Sequence, residues 1–224
     1  MLFRSEVGAP IFLANREWKA WREADGRLGY ESAKGKRLLP KPGLLGDYQY
    51  PNAGTAIAVL EACPEIKVSD GAIAAGLGTV RWPARLQRLV RGPLVDRLPA
   101  GWELWLDGGH NPHAARVIAA FLAGWTGGPV HLVSGMLNTK DNAGFFAPFA
   151  GKVTGVRTVA IPGEANSVSA EDLTKAASSA GLRAKPEPSV EAALTAIIAE
   201  AQRPTRVLIC GSLYLAGRVL AENG

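Results

Sequence analysis

The segment ELWLDGGHNPHAARVIAAFLAGW, residues 103–125, has the pattern of a strand that turns directly into a helix. Its first residues are mostly apolar, and from Pro112 onward apolar side chains recur at helical spacing. Pro112 suits a first helical turn, because its missing N–H would have no partner there. Gly108 and Gly109 allow a sharp turn or a close approach of the backbone to a ligand.

The chain after this segment repeats the alternation of strand and helix. The sequence predicts strands at 130–136, 156–162 and 206–211, and helices at 112–125, 142–150, 169–181, 189–202 and 212–222. Strands separated by helices of this length predict an α/β fold with a mostly parallel sheet covered on both faces. Such sheets bind ligands at the carboxyl ends of their strands, where residues 107–110 and 211–212 are expected.

Polar side chains at the turns of residues 107–110 and 211–212 are candidates for a ligand-binding site. Asp107 could accept hydrogen bonds from a ribose or hold a cation, or it could cap the helix together with Asn111, and both readings stay open. His110 and His113 are three residues apart, but the turn at Pro112 does not present them as a zinc-binding helix face would, and no further Cys or His is near. A hydrogen bond from histidine to a carboxylate or phosphate is therefore favoured over a metal site. Ser212 either caps the following helix or stands at the N-terminus of that helix, where free backbone N–H groups can bind an anion.

The first 80 residues have a mixed pattern. We expect a strand at 9–15, short strands within 22–43, and helices at 52–63 and 69–78. Two prolines interrupt residues 81–93, which we interpret as a connector between domains. Four arginines in and beside this connector would form a basic stripe if it were helical: Arg81, Arg85, Arg88 and Arg91.

Arg85 is the arginine that we expect to be held in place, because apolar and amide residues flank it. A fixed arginine between two domains suits a nucleotide phosphate. The alternative is a solvated basic face. The net charge of +5 in 224 residues is mild, and a nucleic-acid partner would need a sharper, clustered patch.

Composition narrows the class of protein. The chain is 47% hydrophobic and 20% charged, as a globular protein should be. Cys63 and Cys210 stand far apart and form no C-x-x-C pair, which favours reduced thiols in the cytoplasm over a zinc site. Because no run of about 18 apolar residues occurs, we expect no membrane span. The Gly-Lys pairs in AKGKRL and FAGKVT lack the remainder of a P-loop.

Taken in order, these segments resemble the folylpolyglutamate synthases and dihydrofolate synthases of the Mur ligase superfamily. The matching segments are LLPKPGLLGDYQYPNAGTAIAVLE (38–61), WPARLQ (82–87), LDGGHNPHAAR (106–116), GMLNTKD (135–141) and CGSLYLAGRVL (210–220). The departures from the family pattern are modest, and they fall at Tyr48, Ala84, Gly109 and Thr139.

The resemblance implies an activity and a division into domains. The family joins L-glutamate to folate or dihydropteroate with ATP through an acyl phosphate, between a P-loop ATPase domain and a C-terminal Rossmann-like domain. By resemblance, residues 1–80 would be the tail of the ATPase domain, 81–98 a linker, and 99–224 the glutamate-ligase domain. The P-loop and the Mg²⁺ ligands would belong to the N-terminal half of the family, which these segments do not match.

The resemblance also implies roles for single residues. Asn52 would contact the adenine end of ATP, Arg85 its phosphates, and Asp107 the ATP near the hinge. His110 and Ser212 would place the glutamate, with His110 and Asp107 as catalytic residues. We expect a cytoplasmic monomer with small-molecule substrates, without ligase turnover by this chain alone. The alternatives are a non-catalytic Rossmann-like module that binds a nucleotide or another anion, and a nucleic-acid binder that uses the arginines of 81–97.

Overall fold

The computed structural model describes Gly8 and residues 10–223. The chain forms two compact units, which divide between Trp82 and Pro83. No helix in the described ranges is long and apolar enough to cross a membrane.

Over its described residues, the first unit packs two helices with a three-stranded antiparallel sheet. Its elements are β1 (Trp18–Arg22), β2 (Leu28–Ser32), β3 (Gly35–Leu39), α1 (Gln49–Ala62) and α2 (Asp70–Thr79). Trp18, Leu28 and Ile57 lie in its core. Helix α1 approaches β1 closely at Gly54, where a Cβ atom would lie 2.4 Å from the Cβ of Ala20.

Two expectations for this unit need correction. Ala9 lies outside the described residues, and residues 10–15 form no strand, only an isolated bridge between Ala14 and Trp18. The chain turns at Asn15, whose φ is 64°, so the apolar run has no neighbouring strand to pair with. Helix α2 also extends one residue beyond its predicted end at residue 78 and ends at Thr79.

The second unit is a six-stranded sheet with helices on both faces. Its strands are β4 (Gln87–Leu89), β5 (Glu103–Leu106), β6 (Val130–Ser134), β7 (Gly155–Thr158), β8 (Ala184–Pro186) and β9 (Arg206–Cys210). Its helices are α3 (Pro93–Asp96), α4 (Pro112–Ala123), α5 (Asn142–Phe146, continued by a 3-10 turn at Ala147–Phe149), α6 (Ala170–Ser179), α7 (Val190–Glu200) and α8 (Leu213–Asn223). The strand order is β4-β5-β9-β6-β7-β8, and only β4 runs antiparallel to its neighbour.

Alternating side chains of the strands fill two cores, one on each face. Trp105 of β5 packs in the core that α4, α5 and α6 cover, whereas Leu104 and Leu106 pack in the core that α7 and α8 cover. The same alternation separates Leu208 from Ile209 in β9. The predicted α/β class with a mostly parallel sheet is therefore confirmed.

The segment 81–98 is not a basic helix. Arg88 lies in β4, which pairs with β5, and Arg85 lies in the turn before it. The chain turns there because Ala84 and Leu86 both adopt positive φ, 54° and 43°. The domain boundaries at residues 80 and 98 stay predictions, although β4 and α3 lie inside the segment between them.

His131 is a buried imidazole at the start of β6, 8% exposed. Burial lowers the pKa of His131, and the cations of Arg157 and Arg183 lower it further, against the opposing effect of Glu200. The unfolded chain therefore takes up a proton at a higher pH than the folded chain does.

We expect the free energy of unfolding to fall as the pH is lowered from about 6.5 through the lower pKa of folded His131. Urea unfolding of His131→Gln should show a weaker pH dependence in this window. His113→Gln, which changes an exposed histidine on α4, should keep the dependence of the parent chain. Equal pH profiles for parent and His131→Gln would contradict the assignment.

Candidate functional site

Two strand-ending turns meet where the sheet changes the direction of its crossovers. Strands β5 and β9 are neighbours, but α4 follows β5 onto one face and α8 follows β9 onto the other. Such a switch point leaves a crevice at the carboxyl ends of the strands. The N–H of Gly211 donates to the carbonyl of Gly109 at 2.9 Å, which fixes one turn against the other.

Asp107 is buried at the carboxyl end of β5, with 3% of its surface exposed. Its Oδ1 accepts a hydrogen bond from the N–H of Gly109 at 2.7 Å, and its Oδ2 accepts one from the N–H of Leu86 at 2.9 Å. Burial raises the pKa of Asp107, against the hydrogen bonds and the nearby Arg85 cation, which lower it. Asp107 does not cap α4, because Asn111 does so by accepting from the N–H of Ala114 at 2.8 Å.

Arg85 stands on the turn that Asp107 holds. The carbonyl of Ala84 accepts from the N–H of Gly108 at 2.8 Å, and the side chain of Gln87 accepts from the N–H of Ala84 at 2.9 Å. A Cβ atom on Gly108 would lie 3.5 Å from Nη1 of Arg85, so the guanidinium lies beside the 107–109 turn. Among the described residues its one hydrogen bond is a long one, 3.5 Å, to the carbonyl of Ala84. Most of its N–H donors can therefore meet an anion.

His110 and Ser212 each keep one polar group available. Nδ1 of His110 lies 2.9 Å from the carbonyl of Gly108, so that contact places the hydrogen on Nδ1 and leaves Nε2 as an acceptor. Oγ of Ser212 accepts from the N–H of Tyr214 at 3.0 Å and keeps its own hydrogen for another acceptor. His113 lies exposed on α4.

Ser134, at the end of β6, is a neighbour of this site that the sequence did not reveal. It is fully buried, and its Oγ has no hydrogen-bond partner among the described residues. A Cβ atom on Gly211 would lie 2.6 Å from that oxygen. The only signal in the sequence is a serine at the end of an apolar strand, which is too common to single out.

The structure brings four of the five predicted site residues to one end of one sheet: Arg85, Asp107, His110 and Ser212. Asn52 belongs to the first unit, where it lies exposed on α1 and donates from Nδ2 to Oε1 of Gln49 at 3.1 Å. Within residues 10–223, no group of three or more histidine, cysteine, aspartate or glutamate side chains could hold a metal ion.

Comparison with known proteins identifies similar chains. A model of the glutamate ligase domain of Mur ligases matches residues 90–213. The dihydrofolate synthase/folylpolyglutamate synthase of Escherichia coli is 32% identical over 217 residues, which are 96% of this chain and 47% of that protein. The folylpolyglutamate synthase of Lacticaseibacillus casei is 28% identical over 196 residues, 86% of this chain and 42% of that one. The chain thus spans less than half the length of these relatives.

Solved structures show the same similarity. Escherichia coli FolC in complex with DHPP and ADP has a TM-score of 0.80 at 30% identity, over 97% of this chain and 48% of that one. A bifunctional folylpolyglutamate synthase/dihydrofolate synthase with Mn, AMPPNP and L-glutamate bound has a TM-score of 0.79 at 30% identity, over 97% and 49%. These matches confirm the family resemblance inferred from the sequence.

Proposed function

Because the chain belongs to the Mur ligase family through a glutamate ligase domain over residues 90–213, we propose that it forms part of an ATP-dependent ligase that joins L-glutamate to folate or dihydropteroate. The observation that carries the proposal is the pair of turns at the switch point. They place a cation, an imidazole and a hydroxyl group at the same end of the sheet. Solved relatives with ADP or with AMPPNP and L-glutamate bound support it.

The proposed reaction has two steps. A carboxylate oxygen of folate or dihydropteroate attacks the γ-phosphorus of ATP, so that ADP leaves and an acyl phosphate forms. The amine of glutamate then attacks the acyl carbon and loses a proton, and inorganic phosphate leaves. Mg²⁺ would neutralise phosphate charge in the first step, and its ligands are expected outside the segments that this chain matches. The guanidinium of Arg85 is suited to hold phosphate oxygens by paired hydrogen bonds.

His110 and Ser212 are the residues proposed for glutamate. The Ser212 hydroxyl can donate to a carboxylate of the amino acid. Nε2 of His110 can accept the proton that the ammonium must lose before the nitrogen becomes a nucleophile. Both side chains project from the ends of neighbouring strands, so the rigid sheet sets their separation.

The geometry favours a positioning role for Asp107. Its carboxylate holds the N–H groups of Leu86 and Gly109, one on each side of it along the chain. It thereby fixes the turn that carries Arg85 against the turn that carries His110. The contacts of Asp107 and Asn52 with ATP, which the resemblance implies, remain proposals.

The proposal predicts that the chain binds L-glutamate at the turns. Titration with L-glutamate, followed by NMR, should shift the amide signals of His110 and Ser212. His110→Ala and Ser212→Ala should each weaken binding by about ten-fold, since each removes a hydrogen bond to a charged group.

Two substitutions serve as matched controls. Ser189 caps α7 as Ser212 caps α8, by accepting from a backbone N–H at 3.2 Å, so Ser189→Ala loses a cap without touching the site. His113→Ala removes the neighbouring exposed histidine. Both controls should bind glutamate like the parent chain. Equal weakening by Ser189→Ala and Ser212→Ala, or no shift at either turn, would refute the site.

A further inference from the structure

A cavity lies at the opposite end of the sheet, at the amino ends of β6, β7 and β8. Its volume is about 890 Å³, within the range of roughly 300 to 1,000 Å³ that is common for small-molecule sites. The proposed glutamate and nucleotide site lies at the carboxyl ends of the strands, and a five-residue strand such as β6 spans roughly 16 Å. The cavity is therefore separate from that site.

The charged lining of this cavity is mostly basic. Four cationic side chains and one carboxylate line it: Arg157, Arg183, Lys185, Arg203 and Glu200. Glu200 pairs with Arg157 and also with Lys185, the latter at 2.9 Å. Glu187 is a second partner of Arg157, at 3.4 Å. These two carboxylates therefore balance two of the four cations.

The remaining two cations have no partner. Arg183 and Arg203 are exposed, and neither side chain makes an ion pair or hydrogen bond with any residue that the structure describes. Arg183 directly precedes β8, and its carbonyl accepts from the N–H of Val156 at 2.8 Å, whereas Arg203 lies in the loop before β9. Two guanidinium groups with free donors on one cavity form a site for paired hydrogen bonds to oxyanions.

His131 adds a polar group to the wall of the cavity. Its imidazole is 8% exposed and has no hydrogen-bond partner among the described side chains. The groups that face it are Arg157, Arg183 and Glu200. An anion bound between these cations would reduce their repulsion of a protonated imidazole, and it would raise the pKa of His131.

We propose that this cavity binds a small polyanion, one that carries two or more phosphate or carboxylate groups. Arg183 and Arg203 bind the anionic groups directly. Buried Arg157, which Glu187 and Glu200 fix in place, forms part of the wall of the cavity. A structural network alone would account for Arg157, Lys185 and Glu200, but it leaves Arg183 and Arg203 without a function.

Titration of the 224-residue chain with inorganic pyrophosphate and with citrate tests this proposal. Calorimetry should show saturable binding, and NMR should show an upward shift in the pKa of His131 in the presence of the ligand. Arg183→Ala and Arg203→Ala should each weaken binding by about ten-fold. Arg91→Ala removes the same charge from an exposed position outside the cavity and should leave affinity unchanged.

The two probes also separate the sources of the ligand. Binding of pyrophosphate alone would assign a phosphorylated compound, and binding of both probes would assign recognition by charge. Because both arginines are exposed, the variants should fold, and the His131 signal tests the proposal in the unaltered chain. Binding that survives Arg183→Ala and Arg203→Ala, with an unchanged His131 pKa, would overturn the proposal. If neither pyrophosphate nor citrate binds, the proposal is overturned as well.

Discussion

Asp107→Ala is expected to lower the free energy of unfolding of the second unit by about 3 kcal/mol, because two buried N–H groups lose a charged acceptor. The N–H groups of Gly109 and Leu86 both donate to this carboxylate, at 2.7 and 2.9 Å. Only 3% of Asp107 is exposed, so water replaces the carboxylate poorly. Urea unfolding followed by circular dichroism measures the difference.

Asp141→Ala provides the matched control. Asp141 also accepts from one backbone N–H, that of Gly144 at 2.9 Å, but it does so as an exposed helix cap. This control should lose only about 1 kcal/mol. Asp107→Asn should lose nearly as much as Asp107→Ala, because an amide NH₂ group would face a backbone donor. Equal losses for Asp107→Ala and Asp141→Ala would show that Asp107 does not hold the two turns together.

Gly211→Ala should destabilise the same unit by about 3 kcal/mol, through overpacking and a strained backbone. The added Cβ would lie 2.6 Å from Oγ of Ser134 and 2.8 Å from the carbonyl oxygen of Gly135. The φ of Gly211 is 110°, which a residue with a Cβ atom rarely adopts. Both effects act at the turn that carries Ser212, so the variant should also bind glutamate more weakly.

Gly217→Ala is the natural comparison, six residues further along the chain. No atom lies within 4 Å of the Cβ that it would add, and the residue is exposed on α8. Since alanine is a better helix former than glycine, this control should gain roughly 0.5 to 1 kcal/mol. Urea unfolding of both variants compares the two positions directly. A Gly211→Ala chain as stable as the parent would contradict the close packing of the turn.

The second unit was largely predictable because its long elements carry local signals. Strands β5, β6 and β9 are short, mostly apolar runs, and Ser169 and Ser189 cap α6 and α7 as their positions predict. Strand β7 contains Arg157 and ends at Thr158, short of the predicted end at residue 162. The sequence did not predict strands β4 and β8, because each has only three residues and β8 ends in a proline. A strand of that length has no pattern of its own and is defined by the neighbour with which it pairs.

The candidate site was predictable in its residues but not in its contacts. Asp107, His110 and Ser212 stand where strands end, and the parallel sheet places such ends together. The hydrogen bond from Leu86 to Asp107 spans 21 residues and depends on positive φ at Ala84 and Leu86. Local propensity argues against that backbone conformation, so tertiary contacts impose it. Ser134 could not be singled out, because a serine at the end of an apolar strand is common.

The position of β9 has a consequence for the order in which the unit folds. β9 lies between β5 and β6, although it follows β5 by about 100 residues along the chain. On a ribosome, the two central strand pairings therefore wait until Cys210 has emerged, and β5 and β6 present open edges until then. Because such distant pairings close large loops, this unit is expected to fold slowly and to depend on chaperones more than its size suggests.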